Sequence, residues 1–571
     1  MPVFFNGRLW TSPATMSAVD DSAMANKNLS VGNVVALIGT SVGGQPNKAL
    51  SFGSPSEAES ALIDGELLTA VKKAFSPSTE VGGPATVIAV RVNPAVQSAL
   101  VLNDASSAAS VNLVSTDYGA WNNQIKVKIQ AGSTQGLQPT VQYGNDYFTQ
   151  DNLYRNAFSV QYSGVAASAV MSITGTAVTL QAPSGTQVAS IDLTQMKTVQ
   201  QLVDSINIVS GFTASVLDGN GAKPSLNGLD YATVVDVKTA AYTATANLQA
   251  LIDWFNGSGE GFVTATRATN AGKVPAAIPF TYLTGGSDGV TTNSQWSDAF
   301  TTLQNVDMQW FTPVSSDPSI AAMADAHAQF MSTTGRKERR SICGTALGTS
   351  DANAIVAAKA LNSDRTSLVH IGFYDYDANG NLTLYPPYLL AAMIAGAFSG
   401  VNPGTPLTNK SLSVRGLERD LRNPTDTDPL IQGGVLCVEN TSKGYKVVKS
   451  ISTWLTNANY NRVEQSVGFA LDYTVRNVRD ALDELRGQKG TPQNLARAVS
   501  IADSTLRALA KPEPTGPGVL VGDSTNPAYK GITAVLDGDV IGVSFQCSPV
   551  LPINFIPVTV YAVPYSGSAS A

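Results

Sequence analysis

The sequence predicts an α/β core of βαβ units, interrupted by a β-rich insertion domain and followed by an α+β C-terminal domain with extended terminal arms. Three observations carry this. Near-continuous apolar runs at residues 33–38 and 85–90 have the pattern of strands buried on both faces of a parallel sheet. Between residues 98 and 277 the texture changes to short alternating runs separated by Gly, Asn and Ser, which is antiparallel material. After Asp539 the chain carries no charged residue and is rich in strand formers.

Residues 1–30 hold one apolar cluster, Val3, Phe4 and Phe5, then drift through small and polar residues, and this segment reads as an arm. A buried strand over 33–38 follows. Ser54 and Glu57 have capping-box spacing with Pro55 at the first helical position, and Leu62, Leu67, Leu68, Val71 and Phe75 supply the apolar stripe of a helix. With the strand at 85–90 these form a βαβ unit, whose crossover implies parallel pairing. The discontinuous α/β domain takes residues 31–97 and 278–425.

The insertion, 98–277, contains alternating runs at Ile125–Ile129 and Ala177–Leu180 and helical patterns over Thr198–Ile208 and Ala246–Phe255. After Thr284–Gly289 the α/β alternation resumes. Helices are predicted near Ser294–Leu303, Pro318–Met331 and Asp351–Leu361, and strands at Met308–Pro313, Ser341–Thr345 and Ser367–Phe373.

In the C-terminal domain, 426–547, Val435–Val438 and Tyr445–Ile451 read as a hairpin around the Asn440–Gly444 turn. A long helix then places Val467, Leu471, Val475, Val478, Leu482 and Leu485 on one stripe. Its back pairs Asp472 with Arg476, Arg476 with Asp480 and Arg479 with Asp483, each four apart, as a solvated ladder or a charged docking face. Thr491 and Pro492 start a further helix, and Pro512–Gly518 breaks the chain before the last strands. In the final arm, 548–571, Val558, Val560 and Ala562 share one face while Thr559, Tyr561 and Val563 share the other. Nothing protects this edge, so the segment pairs either inside its own domain or with another chain.

Charged residues make up 14% of the 571, below the usual share of about 25%. Such neutral surface fits a secreted β-rich protein or one covered by copies of itself. A formal charge of -7 gives no footprint for nucleic acid. The start, MPVFFNGRLW, has no signal-peptide pattern, and the most apolar run, LLAAMIAGAF, is far short of the roughly 20 residues of a membrane helix. We therefore expect cytoplasmic synthesis and no membrane insertion.

Cys343, Cys437 and Cys547 lie in apolar surroundings and read as reduced core residues. His327 and His370, far apart in sequence, read as satisfied histidines rather than ligands or bases. The loop from Gly39 to Lys48 follows a strand as a phosphate loop would, but Gln45 and Pro46 stand where Lys and a hydroxyl residue are needed. Asp375–Gly380 copies the first half of a calcium loop, yet Pro386 replaces the bidentate glutamate, so a hairpin tip is expected. No catalytic, cofactor-binding or metal residue is assigned, and no enzyme activity is expected.

Four segments in this order, GNVVALIGTSVGGQPNKALSFGSPSEAESAL, YGAWNNQIKVKI, YLTGGSDGV and SPVLPINFIPVTVYAV, resemble the tail sheath proteins of contractile bacteriophages and related injection machines. The resemblance implies a structural subunit without cofactors. Copies would form hexameric rings stacked in a helix around a tail tube, joined by terminal arms that add strands to another subunit's C-terminal sheet, and contraction would drive the tube through the host envelope. It implies tail tube, baseplate and tail terminator proteins as partners, and a place in the virion tail after assembly in the host cytoplasm. The interface residues would be Val3, Phe4, Phe5, Ile553, Phe555, Val558, Val560, Tyr561 and Val563, with Arg476, Arg479, Asp480 and Asp483 facing the tube. On this reading residues 540–547 belong to the subunit's own sheet and 553–563 are exported. A non-viral contractile particle, of bacteriocin or secretion type, is the alternative. A secreted surface-layer protein is a further one, opposed by the missing signal peptide.

Overall fold

A computed structural model of the chain describes residues 3–5, 8–10, 33–257 and 261–567. The chain forms two compact units. One is built on Pro94–Val290 and includes Val42–Gln45; the other takes in Pro46–Asn93, the first buried strand and the chain from Thr291 onward.

The second unit is organised by a seven-stranded sheet. Its strands in chain order are β1 (Val34–Gly39), β2 (Ala49–Phe52), β3 (Thr86–Arg91), β4 (Trp310–Pro313), β5 (Arg340–Gly344), β6 (Thr366–Val369) and β7 (Val435–Leu436). In space they run β7-β6-β5-β4-β1-β3-β2, all parallel except β2, which lies antiparallel on β3. The expected βαβ unit is present, with Val34 opposite Thr86 and Ile38 opposite Val90. Every residue of β4 and β5 is buried, as the apolar runs require of strands covered on both faces.

Three sequence expectations are corrected here. The helix starting at Pro55 is two helices, α1 (Pro55–Leu62) and α2 (Glu66–Phe75). Ile63 has φ +63° and Gly65 φ +113°, which breaks the first helix before the apolar stripe resumes. Val435–Leu436 is not part of a hairpin; it is the edge strand β7 on β6, and the hairpin is Val438–Thr441 with Gly444–Val447. The α/β sheet therefore extends past residue 425. The strand expected over Ser367–Phe373 ends at Val369, and Phe373 opens a separate hairpin.

Helices α3 (Pro318–Thr333), α4 (Asp351–Leu361) and α5 (Pro387–Gly400) belong to this part, as does the expected helix Asn293–Leu303. The run LLAAMIAGAF lies in α5, buried on every side. Gly396 allows the close approach of α2, since a Cβ there would sit 2.2 Å from the Ala74 carbonyl oxygen. Trp310 of β4 stacks on Phe398 of α5 with ring centroids 4.2 Å apart. Among the described residues no helix is long and apolar enough to cross a membrane.

The Pro94–Val290 unit is antiparallel throughout, in two four-stranded and two three-stranded sheets. It holds two cores. One gathers around the helix Val199–Asn207, capped by Thr198, and the other around the helix Asn247–Gly257. The last strand, Ile278–Tyr282, pairs with Lys126–Ala131, so the insertion runs past residue 277. Val96 bridges Ser287, which brings the two ends of the insertion side by side.

Candidate assembly surface

The C-terminal layer consists of α6 (Gln465–Leu482), α7 (Pro492–Leu509), β8 (Tyr529–Asp537) and β9 (Val540–Cys547). Thr491 caps α7 by accepting from the Asn494 N–H at 3.3 Å, and Ala498, Ala502, Leu506 and Leu509 bury one side of that helix. β8 and β9 form a hairpin closed at Asp537 and Val540, so residues 540–547 belong to the subunit's own sheet.

Among the described residues this sheet has two strands only, leaving both outer edges unpaired. Its inward residues Ile532, Val543, Phe545 and Cys547 are only partly covered by the core of Ala470, Tyr473, Ala502 and Leu506. α7 packs chiefly beneath β8. A recess of about 580 Å³ opens beside β9, floored by Leu482, Leu485, Leu536, Ile541 and Val543 and rimmed by Arg479, Asp483, Arg486 and Asp539.

The chain leaves this layer gradually. The Ser548 N–H donates to the Ala528 carbonyl at 2.8 Å and the Val550 N–H to the Val519 carbonyl at 3.0 Å. The arm therefore begins at about residue 551, not at 548. Beyond that point no strand pairing is formed up to residue 567, and Ile553, Phe555, Val558, Val560, Tyr561 and Val563 are between 78% and 87% exposed. At the other terminus Val3–Phe5 pairs antiparallel with Arg8–Trp10. The rest of the 1–30 arm lies outside the described residues.

The charges of α6 differ from the expected ladder. Asp472 accepts from Arg340 Nε at 2.9 Å and Arg365 at 2.6 Å. Arg476 pairs with Asp307, and Arg479 grips both carboxylate oxygens of Glu338 while donating to the Arg336 carbonyl at 2.7 Å. None of the three expected i,i+4 pairs is formed among the described residues. The reason is orientation. The helix buries Asp472, Thr474 and Asn477 and exposes Val475, so its charged side faces partners just before β4 and β6 and on and just before β5. Burial pushes Asp480 above the usual carboxylate range, opposed by Arg476 and Arg479. Asp483 is exposed and pairs with Arg486 at 2.5 Å. The partners were missed by sequence reasoning, although the run RKERR directly before a buried strand was the available signal.

His327 packs against Phe300 and Phe311 and accepts from Arg339 at 3.0 Å; burial, aided by Arg339, pushes it down to about 3. His370 lies 2.9 Å from Asp351. Asp375–Gly380 forms the tip of a hairpin, where Asp377 accepts from the Asn379 and Asn381 N–H groups, each at 2.8 Å. In the glycine-rich loop the Gly44 N–H donates to the Asp117 carboxylate at 2.9 Å, an anion already supplied by the chain. Burial pushes the Cys343 and Cys437 thiols up to about 12, beyond any reactive range.

No family model matches the chain. It is 28% identical to the tail sheath protein of Bacillus phage SP01, over 99% of this chain and 98% of that protein. It is 27% identical to the putative tail sheath protein of Enterococcus phage phiEF24C, over 96% of each. Among solved structures, the sheath tail protein of Desulfitobacterium hafniense matches with a TM-score of 0.52 at 13% identity, over 94% of this chain and 99% of that one. That of Listeria innocua matches with a TM-score of 0.54 at 14% identity, over 92% of this chain and 93% of that one. The curated homologues are thus phage tail sheath proteins, which are structural, and the fold is shared with sheath tail proteins.

Proposed function

We propose that this chain is the structural subunit of a contractile phage tail sheath, polymerising as hexameric rings stacked in a helix around a tail tube. The observation that carries the reading is the presence in one chain of an unpaired, uncharged arm and a hairpin open at both edges. The arm has apolar side chains on both faces and the hairpin has a partly covered inward face. Each supplies what the other lacks, backbone hydrogen bonds and apolar cover. A strand laid on the free edge of β9 would carry its inward side chains over the recess beside Ile541 and Val543.

An arm of one copy on the hairpin of the next is a head-to-tail contact, which closes into rings or continues as a helix. In contraction the subunits turn outward as near-rigid bodies while the arm stems absorb the motion and keep the mesh joined, driving the tube through the host envelope. Val3, Phe4 and Phe5 mark a second donated segment. Partners are the tube, baseplate and tail terminator proteins, and the site of action is the virion tail after assembly in the host cytoplasm. For the tube-facing surface, Arg476 and Arg479 serve first as internal braces, so the part of the original four best able to meet the tube is the end of α6 around Asp480 and Asp483.

Negative-stain microscopy of the full chain and of a variant ending at Asn554 tests this. The full chain should give tubes or ring stacks, and the shortened one a folded protein with unchanged circular dichroism and no ordered polymer. Ordered tubes from the shortened chain overturn strand donation. Uniform monomers of the full chain at every salt concentration overturn the sheath reading.

A further inference from the structure

The root of the C-terminal arm is tied to its own subunit at one polar point. Asn554 Nδ2 donates to Glu464 Oε1 at 2.8 Å. Glu464 is fully buried at the residue that precedes α6, yet its carboxyl makes no capping bond to that helix. Its other oxygen, Oε2, has no hydrogen-bond partner, and neither has the buried amide oxygen Oδ1 of Asn554. Buried polar atoms are nearly always paired, so two orphans on the same two side chains call for an explanation.

Both orphans are acceptors, and two acceptors cannot bond each other. A proton taken from water onto Glu464 Oε2 satisfies both at once, because the resulting O–H donates to Asn554 Oδ1 while Nδ2 continues to donate to Oε1. The product is a cyclic acid–amide pair with two hydrogen bonds. We infer that Glu464 and Asn554 form a proton-dependent latch that fixes where the C-terminal arm leaves its own subunit, closed fully when Glu464 is neutral and held by one bond when it is ionised.

Burial holds the Glu464 carboxyl above its ordinary value of 4.5, against the opposing effects of Lys449, whose Nζ lies 3.2 Å from Oε1, and of the hydrogen bond from Asn554. Lys449 is the one charged group that pairs with this carboxyl among the described residues. A raised folded-state value places the added stability below about pH 4.5 and removes it as pH climbs through the higher folded value. The arm root should therefore loosen as pH rises. This does not rest on the sheath reading, since it concerns a contact within one chain.

Chymotrypsin tests the latch on the full chain, because Phe555 adjoins Asn554 while Tyr565 lies far out on the exposed arm. The ratio of cleavage after Phe555 to cleavage after Tyr565 cancels the protease's own pH dependence. In the unaltered protein the ratio should rise about fivefold from about pH 4.5, where the neutral carboxyl holds both bonds, to about pH 8, the effect of one lost hydrogen bond. Glu464→Gln offers a permanent amide donor to Asn554 Oδ1 and should give a low ratio that does not change with pH. Asn554→Ala should give a high ratio, equally flat. A flat ratio in the unaltered protein, a Glu464→Gln ratio matching that of Asn554→Ala, or an Asn554→Ala ratio that keeps the pH slope each overturns the latch. The Asn554→Ala arm of the test stands even if Glu464→Gln fails to fold.

Discussion

Asp472 shows how a residue read as surface decoration becomes a structural one. Its carboxylate accepts from Arg340 and Arg365, and the Arg340 side chain is 2% exposed. Removing a shared partner leaves buried guanidinium charge uncompensated, which typically costs about 3–5 kcal/mol. Asp472→Ala should lower the unfolding free energy by that amount in urea denaturation, whereas a solvated ladder residue would cost less than about 0.5 kcal/mol. Spacing alone made this invisible. Four-residue intervals fix which side chains share a helix face, but the partners that win are those the neighbouring strands bring closer, here Arg340 at the start of β5 and Arg365 just before β6. The histidines were legible because an isolated His in an apolar pattern has few chemical options without a second ligand or a nucleophile nearby.

Elements were more legible than contacts. Ser54 and Thr491 each cap a helix where polar residue and apolar period meet. The errors fell where backbone geometry overrides periodicity. At Gly65 the apolar period continues, yet φ +113° separates α1 from α2, and a Cβ there would meet Ser41 Cα at 3.0 Å and the Thr40 carbonyl oxygen at 3.1 Å. Gly65→Ala should destabilise the second unit by about 1–3 kcal/mol, read as a lower thermal midpoint. An unchanged midpoint would mean that the two helices tolerate being merged. Val435–Val438 failed differently. Four apolar residues can serve a hairpin or a parallel edge, and only the position of β6 assigns Val435 and Leu436 to the sheet.

On the scale of the whole chain, the core around the seven-stranded sheet draws no described residue from 94–290. The ends of that segment meet at the Val96–Ser287 bridge, so a short flexible linker can replace it. A chain lacking residues 97–286, rejoined by a few Gly and Ser residues, should fold with a cooperative transition and keep the β8–β9 hairpin. Loss of cooperative unfolding would show that the insertion is needed for the core. The sequence by itself determined the alternation of α/β and β-rich material, the helix caps at Ser54 and Thr491, the uncharged arm and the strand Val540–Cys547 of the chain's own sheet. These follow from local periodicity, turn chemistry and charge, which a chain carries in order. The tertiary structure decided which charges pair, where α1 ends, which strand borders β6 and that Asn554 rests on Glu464. Those depend on residues far apart in sequence being brought within a few ångströms, and burial then makes an unpaired polar atom costly enough to select one partner.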